Sequence, residues 1–168
     1  WPEWRGEGRD AVWNETGIVD ELPAALQIKW RIPINAGYSG PAVANGRVFI
    51  TDWSEDAESR TMDGTERAIA IDEETGEVLW TREWPTSYRM LMISYAIGPR
   101  ATPTVDGDRV YVVGAAGDLY CLDAETGEII WEKHYIADYD SFIPTWGVAS
   151  SPIVDGERLI TVVGGEPG

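Results

Sequence analysis

Apolar residues in this chain fall in short alternating runs, cut by turns that contain Gly, Pro, Asn or Asp. Residues 112–131, VVGAAGDLYCLDAETGEIIW, show the pattern in full. An apolar run turns at Gly117-Asp118, alternates again through Leu119, Tyr120, Cys121 and Leu122, turns at 124–127, and resumes through Ile129 and Ile130 to Trp131. Period-two runs bounded by turn signals predict three short antiparallel strands. No window carries a sustained helical period, so the whole chain is predicted to be all-β.

Read in order, residues 1–25 are rich in Gly, Glu and Trp without a steady period. They are expected to form an irregular N-terminal arm, pinned where Trp1, Trp4 and Trp13 find apolar surface. Residues 26–34, LQIKWRIPI, alternate and predict one strand. The unit 39–84 then predicts four: 42–43, the Asn45-Gly46 hairpin turn, 47–51, a polar interruption over 52–66, 67–71, a turn at 72–76, and 77–84. The unit 101–135 repeats this with turns at Asp106-Gly107, 116–118 and 123–127. A third pass over 149–168 starts at Pro152, turns at Asp155-Gly156 and breaks off after 158–163.

Subtraction checks the register of these passes. Asp72 to Trp80 and Asp123 to Trp131 both span 8 positions, and the two tryptophans lie 51 apart. Pro41 to Trp80 is 39 and Pro103 to Trp131 is 28, so the first unit carries 11 extra residues, assigned to the 52–66 interruption. A repeat of about 50 residues holding four short strands is the signature of a β-propeller blade. A sandwich of meanders is the alternative that such strands leave open.

Residues 70–80, AIDEETGEVLW, and 121–131, CLDAETGEIIW, fit the pattern A-x-D-x-x-T-G-x-x-x-W, with Cys121 replacing Ala in the second copy. This resembles the tryptophan-docking motif of the PQQ-like, or quinoprotein-type, β-propellers. The opening Trp1-Pro2-Glu3-Trp4-Arg5-Gly6 and the run Pro144-Thr145-Trp146-Gly147 look like the secreted PQQ-like repeat proteins of bacteria. The resemblance implies structural docking roles for Asp72, Thr75, Gly76 and Trp80, and for Asp123, Thr126, Gly127 and Trp131. It also implies a ring of seven or eight four-stranded blades, of which this chain is a fragment. Trp30 has no Asp-x-x-Thr-Gly turn before it, so 26–34 is expected to be an orphan outer strand that closes the ring by completing the last blade. Physical chemistry supports the structural reading: Gly tolerates the positive φ of a tight turn, Asp accepts from turn amides, and Trp covers apolar area between blades.

Charge narrows the choice of partner. With 13 Lys+Arg against 29 Asp+Glu, the net charge is −16 and the surface repels phosphate backbones, so nucleic acid is excluded as a partner. The bland reading of the acidity is a solvated shell. No run approaches the roughly 20 apolar residues of a membrane-spanning helix. Cys121, the single cysteine, has no internal disulfide partner and is expected to be a small buried hydrophobe. The chain starts at Trp1 and stops just after a strand-like run, so both ends are expected to be processed or cut; the resemblance to secreted PQQ-like repeat proteins implies a periplasmic or secreted location.

Ligands of propellers bind where the connections to the innermost strands converge. Here these are 33–40, 85–101 and 136–150, which carry Tyr38, Arg100, Thr145 and Trp146 as candidate cofactor-binding residues, with Tyr88, Tyr95, Asp138 and Asp140 nearby. Arg among aromatics and hydroxyls suits an acidic planar ligand such as a quinone; the competing expectation is that these loops only cap the blades. PQQ dehydrogenases of the alcohol type carry a vicinal Cys pair, which one cysteine cannot supply. The pair Asp138 and Asp140 is thin evidence for a hard cation, and His134 alone makes neither a triad nor a zinc site. No catalytic residue and no metal ligand set is assigned. The expected function is therefore a non-catalytic extracytoplasmic module for binding or scaffolding in protein–protein assembly, its partners being other protein chains or the remaining blades. The alternative is a PQQ-dependent dehydrogenase of alcohols or sugars, using PQQ with Ca2+ and catalytic residues from further blades.

Overall fold

Asn45 and Gly46 both adopt positive φ, 54° and 71°, the requirement of the type I′ turn that matches strand twist. They join β1 (Ala42–Ala44) to β2 (Arg47–Glu55) with Ala44 opposite Arg47. β3 (Asp63–Asp72) and β4 (Val78–Ser87) complete a four-stranded antiparallel sheet in chain order. A second such sheet consists of β5 (Thr104–Asp106), β6 (Arg109–Val113), β7 (Asp118–Asp123) and β8 (Ile129–His134). A short helix, α1 (Tyr135–Tyr139), follows, and the hairpin β9 (Ile153–Asp155) with β10 (Arg158–Ile160) opens a third unit. This computed structural model describes every residue except Glu15, Ile18 and 165–168, so the end of the predicted third pass lies outside the described residues.

The chain is all-β and its sheets are propeller blades. Contacts run from β1 to β5 and from β5 to β9, so the first strands of successive sheets are neighbours around the inside. Between the two complete sheets, Phe49, Ala70 and Trp84 of the first meet Val110, Val112, Tyr120 and Leu122 of the second in one buried cluster. Trp84 and Tyr120 lie 4.6 Å apart between ring centroids. A second cluster, with Val113, Leu119, Tyr135 and Val148, takes in Leu159 of the third unit. Cys121 is fully buried, as a small hydrophobe should be.

Two expectations are corrected. The 52–66 interruption is no loop: β2 and β3 run on through it, pairing Asp52 with Arg67, Trp53 with Glu66 and Glu55 with Gly64, so only 56–62 turn. The reason is that its two buried carboxylates, Asp52 and Glu66, find donors within the fold. Buried Asp52 accepts both Nε and Nη2 of Arg67, at 2.8 and 2.6 Å, and the Asn35 N–H at 2.7 Å. Residues 26–34 pair with no strand among the described residues, and Leu26 and Ile28 are exposed. The N-terminal arm is held by backbone hydrogen bonds to the inner strands and by the Arg9 side chain, while Trp1, Trp4 and Trp13 remain half exposed.

Candidate binding face and the carboxylate bracket beneath it

Local hydrogen bonding builds the two Thr-Gly turns in the same way. Asp72 Oδ1 accepts from the N–H of Glu74 and of Thr75 and from the Thr75 hydroxyl, at 3.0, 2.7 and 2.9 Å. Asp123 repeats this with Glu125 and Thr126 at 3.0, 2.8 and 3.0 Å. The hydrogen bonds from Thr75 and Thr126 hold both carboxyls below the ordinary aspartate range. Gly76 and Gly127 have φ of 76° and 71°, and a Cβ on either would strike an indole: Trp30 over Gly76 and Trp80 over Gly127. Trp30 Nε1 donates to the Glu73 carbonyl at 2.9 Å, and Trp80 Nε1 to the Ala124 carbonyl at 3.1 Å, so each indole seats on the turn of the sheet that follows it. A bulge after Ala70 and another after Cys121 place Trp80 and Trp131 opposite those residues. The half-buried Trp131 has its ring 6.0 Å from that of Tyr111.

The three connections pack on one another at one end of the sheets. Ala36 and Trp53 exchange backbone hydrogen bonds, the Tyr38 N–H donates to the Pro99 carbonyl at 2.8 Å, and the Met92 N–H to the Thr145 carbonyl at 2.7 Å. The Tyr38 hydroxyl reaches the Tyr95 carbonyl at 3.4 Å, and the Tyr95 ring meets Trp146 edge-on at 6.4 Å. Tyr38, Arg100, Thr145 and Trp146 are thus brought to one face. Arg100 gives two guanidinium N–H groups to the carbonyls of Ala96 and Gly98, at 2.9 and 3.0 Å, so its charge braces its own loop. Among the exposed side chains of these connections are large apolar ones, Tyr38 at 62%, Tyr95 at 80%, Met90 at 82%, Phe142 at 60% and Trp146 at 58%, beside the polar Arg89, Ser94 and Thr145. Such a face offers ring and thioether area for contact. Asp138 caps the His134 N–H at 2.8 Å and Asp140 is the left-handed residue that ends α1. Among the described residues, no three His, Cys, Asp or Glu side chains gather as metal ligands.

Beneath this face lies the residue that sequence reasoning missed. Glu66 of β3 is fully buried and accepts three hydrogen bonds: from Trp84 Nε1 at 2.8 Å, the Tyr88 hydroxyl at 2.5 Å and the Ala115 N–H at 2.8 Å. One carboxylate thereby ties β3, β4 and the 85–101 connection to the β6–β7 turn of the next sheet. A Cβ on Gly114 would collide with this carboxylate, which explains glycine there. Burial pushes the Glu66 carboxyl above the ordinary glutamate value, and its three donors oppose the shift without reversing it. Burial and the neighbouring Glu66 likewise raise the Tyr88 hydroxyl. The signal was present in the sequence: Gly64, Glu66, Ala68 and Ala70 alternate inward along β3, so Glu66 continues the buried face.

A family model described as "Outer membrane protein assembly factor BamB" matches residues 25–96 and again 64–166. The chain is similar to proteins of that name from Kangiella koreensis, at 31% identity over 141 residues, 74% of this chain and 31% of the relative, and from Aliivibrio fischeri, at 30% over 99 residues, 59% and 23%. It spans a quarter to a third of the length of these curated relatives. Among solved structures it is similar in fold to BamB from Moraxella catarrhalis, with a TM-score of 0.50 and 15% identity over 78% of this chain and 36% of that one. With both sheets inside the matched residues, the chain belongs to this outer membrane protein assembly factor family of PQQ-like repeats.

Proposed function

We propose that the chain is part of a non-catalytic, periplasmic β-propeller scaffold that binds other proteins in outer-membrane protein assembly. The observation that carries this reading is the exposed, mutually contacting aromatic set Tyr38, Tyr95 and Trp146 on the braced connections, with Met90 and Phe142 exposed on the same connections. Aromatic residues and Met are enriched in protein interfaces, and contiguous exposed apolar patches mark them. Backbone hydrogen bonds between the three connections hold the face in place before a partner arrives, which lowers the ordering cost of binding. The similarity to proteins named for outer membrane protein assembly supports the direction of the proposal. Arg100 weighs against the dehydrogenase alternative, since its guanidinium braces its own loop. Under this proposal the Trp30 and Trp80 seats have structural docking roles, and the same is assigned to Trp131.

Site-specific photo-crosslinking in cells tests the proposal. A photoreactive residue at Tyr95 or Trp146 of the intact protein is expected to give a discrete adduct with an outer-membrane assembly component, and one at Glu128 none. Equal adducts at all three positions, or none at Tyr95 and Trp146, would reject the loop face as the binding surface.

A further inference from the structure

The opening residues line the inside of the blades. β1 and β5 are edge strands of their sheets, and each has one side that no ladder partner uses. On that side the Val43 N–H donates to the Trp1 carbonyl and the Val105 N–H to the Pro2 carbonyl, both at 2.8 Å. Val43 and Val105 are the central residues of their strands, each two residues after the proline that precedes it, Pro41 and Pro103. The segment then bends at Gly6, where φ is 79° and the Trp1 ring covers the glycine. Arg9 closes it: its guanidinium bonds the carbonyls of Ser151 and Pro152, just before β9, while Nε pairs with Glu3 Oε2 at 2.5 Å. Nine residues therefore touch the inner strands of two successive units and the residues that lead into the inner strand of the third.

We propose that the inner edges of β1 and β5, with the Ser151 and Pro152 carbonyls, form a binding site for an extended peptide, and that residues 1–9 are its resident ligand. Recognition of the first two residues is by backbone, because unpaired strand edges accept any extended chain whose carbonyls fall in register. Selectivity comes from Arg9, whose planar fork of donors spans two carbonyls and a carboxylate at once, a geometry lysine cannot copy. Arg5, Arg9 and Ala11 sit at positive φ, 67°, 56° and 59°, so the bound conformation is strained and held in place by its contacts. A segment held in this way is displaceable by a peptide of the same pattern. While seated, it keeps the inner edges from other ligands and leaves the loop face as the surface open to a partner.

Amide exchange measured by NMR on the intact protein tests the proposal. Arg9→Ala is expected to speed exchange at Val43 and Val105 together by roughly tenfold or more, as local opening does, while Val110 and Leu122 keep their protection. A synthetic peptide of residues 1–10, added in excess to the Arg9→Ala protein, is expected to restore protection at both valines, and a scrambled peptide is not. Unchanged exchange at Val43 and Val105 in Arg9→Ala, or no restoration by the native peptide, would overturn the proposal.

Discussion

Replacing Glu66 by alanine tests how neighbouring blades are joined. The carboxylate is fully buried and serves three donors, the Trp84 indole, the Tyr88 hydroxyl and the Ala115 N–H, at 2.8, 2.5 and 2.8 Å. Truncation strands all three in a site without water access. A stranded buried donor costs about 1–3 kcal/mol, while removing a buried carboxylate relieves a desolvation cost of several kcal/mol, so the net loss is about 3 kcal/mol. That is a large share of the stability of an ordinary domain. Glu66→Gln keeps one side-chain oxygen as an acceptor but turns an amide NH2 toward a donor, and should lose about half as much. Urea unfolding at fixed pH, followed by tryptophan fluorescence, reads both. The pH dependence has a definite sign. Because the folded value lies above the ordinary 4.5, the contribution of Glu66 is full below pH 4.5 and is lost as pH rises through the folded value. The advantage of the native protein over Glu66→Gln should therefore shrink as pH rises from 4.5. An alanine loss below about 1 kcal/mol would refute the bracket, since the net of about 3 kcal/mol already counts the desolvation that truncation relieves.

Three further outcomes follow from the geometry. Trp80→Phe keeps an aromatic ring over Gly127 but loses the indole hydrogen bond to Ala124, and should cost about 1 kcal/mol in urea unfolding, against about 3 kcal/mol for Trp80→Ala. His134, raised above its ordinary 6.5 by its hydrogen bond to Asp118, should show an NMR titration midpoint above that value that falls in Asp118→Asn. Its stabilising contribution is present below pH 6.5 and is lost as pH rises through the raised value. Gly64→Ala should lower the melting temperature, because its Cβ would come within 2.7 Å of the Trp53 indole nitrogen, whereas shortening the 56–62 turn by two exposed residues should leave it nearly unchanged.

What the sequence discloses about this fold is mostly local. The Asp72 and Asp123 turns could be read from five residues each, because the carboxylate, the hydroxyl and the glycine φ all act within the turn itself. The Asn45-Gly46 hairpin is legible for the same reason. Asp52 and Glu66 were misread as loop residues because a polarity pattern treats every carboxylate as solvated. The donors that neutralise them come from Arg67, Tyr88 and Ala115, up to 49 positions away. The seat of the N-terminal arm was equally hidden, since backbone carbonyls of Trp1 and Pro2 leave no mark in side-chain chemistry. Tyr38, Arg100, Thr145 and Trp146 could be assigned to converging connections from topology alone. That the Arg100 charge turns inward is a property of the folded loop and could not be read there.

The central claim, that the braced loop face is where this family member meets another protein, is tested most directly by an amide-exchange footprint of the intact protein with and without the component that crosslinks to it. The account predicts new protection confined to residues 36–38, 90–96 and 142–147. Protection on the outer strands β4 and β8 with the loop face unchanged would contradict it.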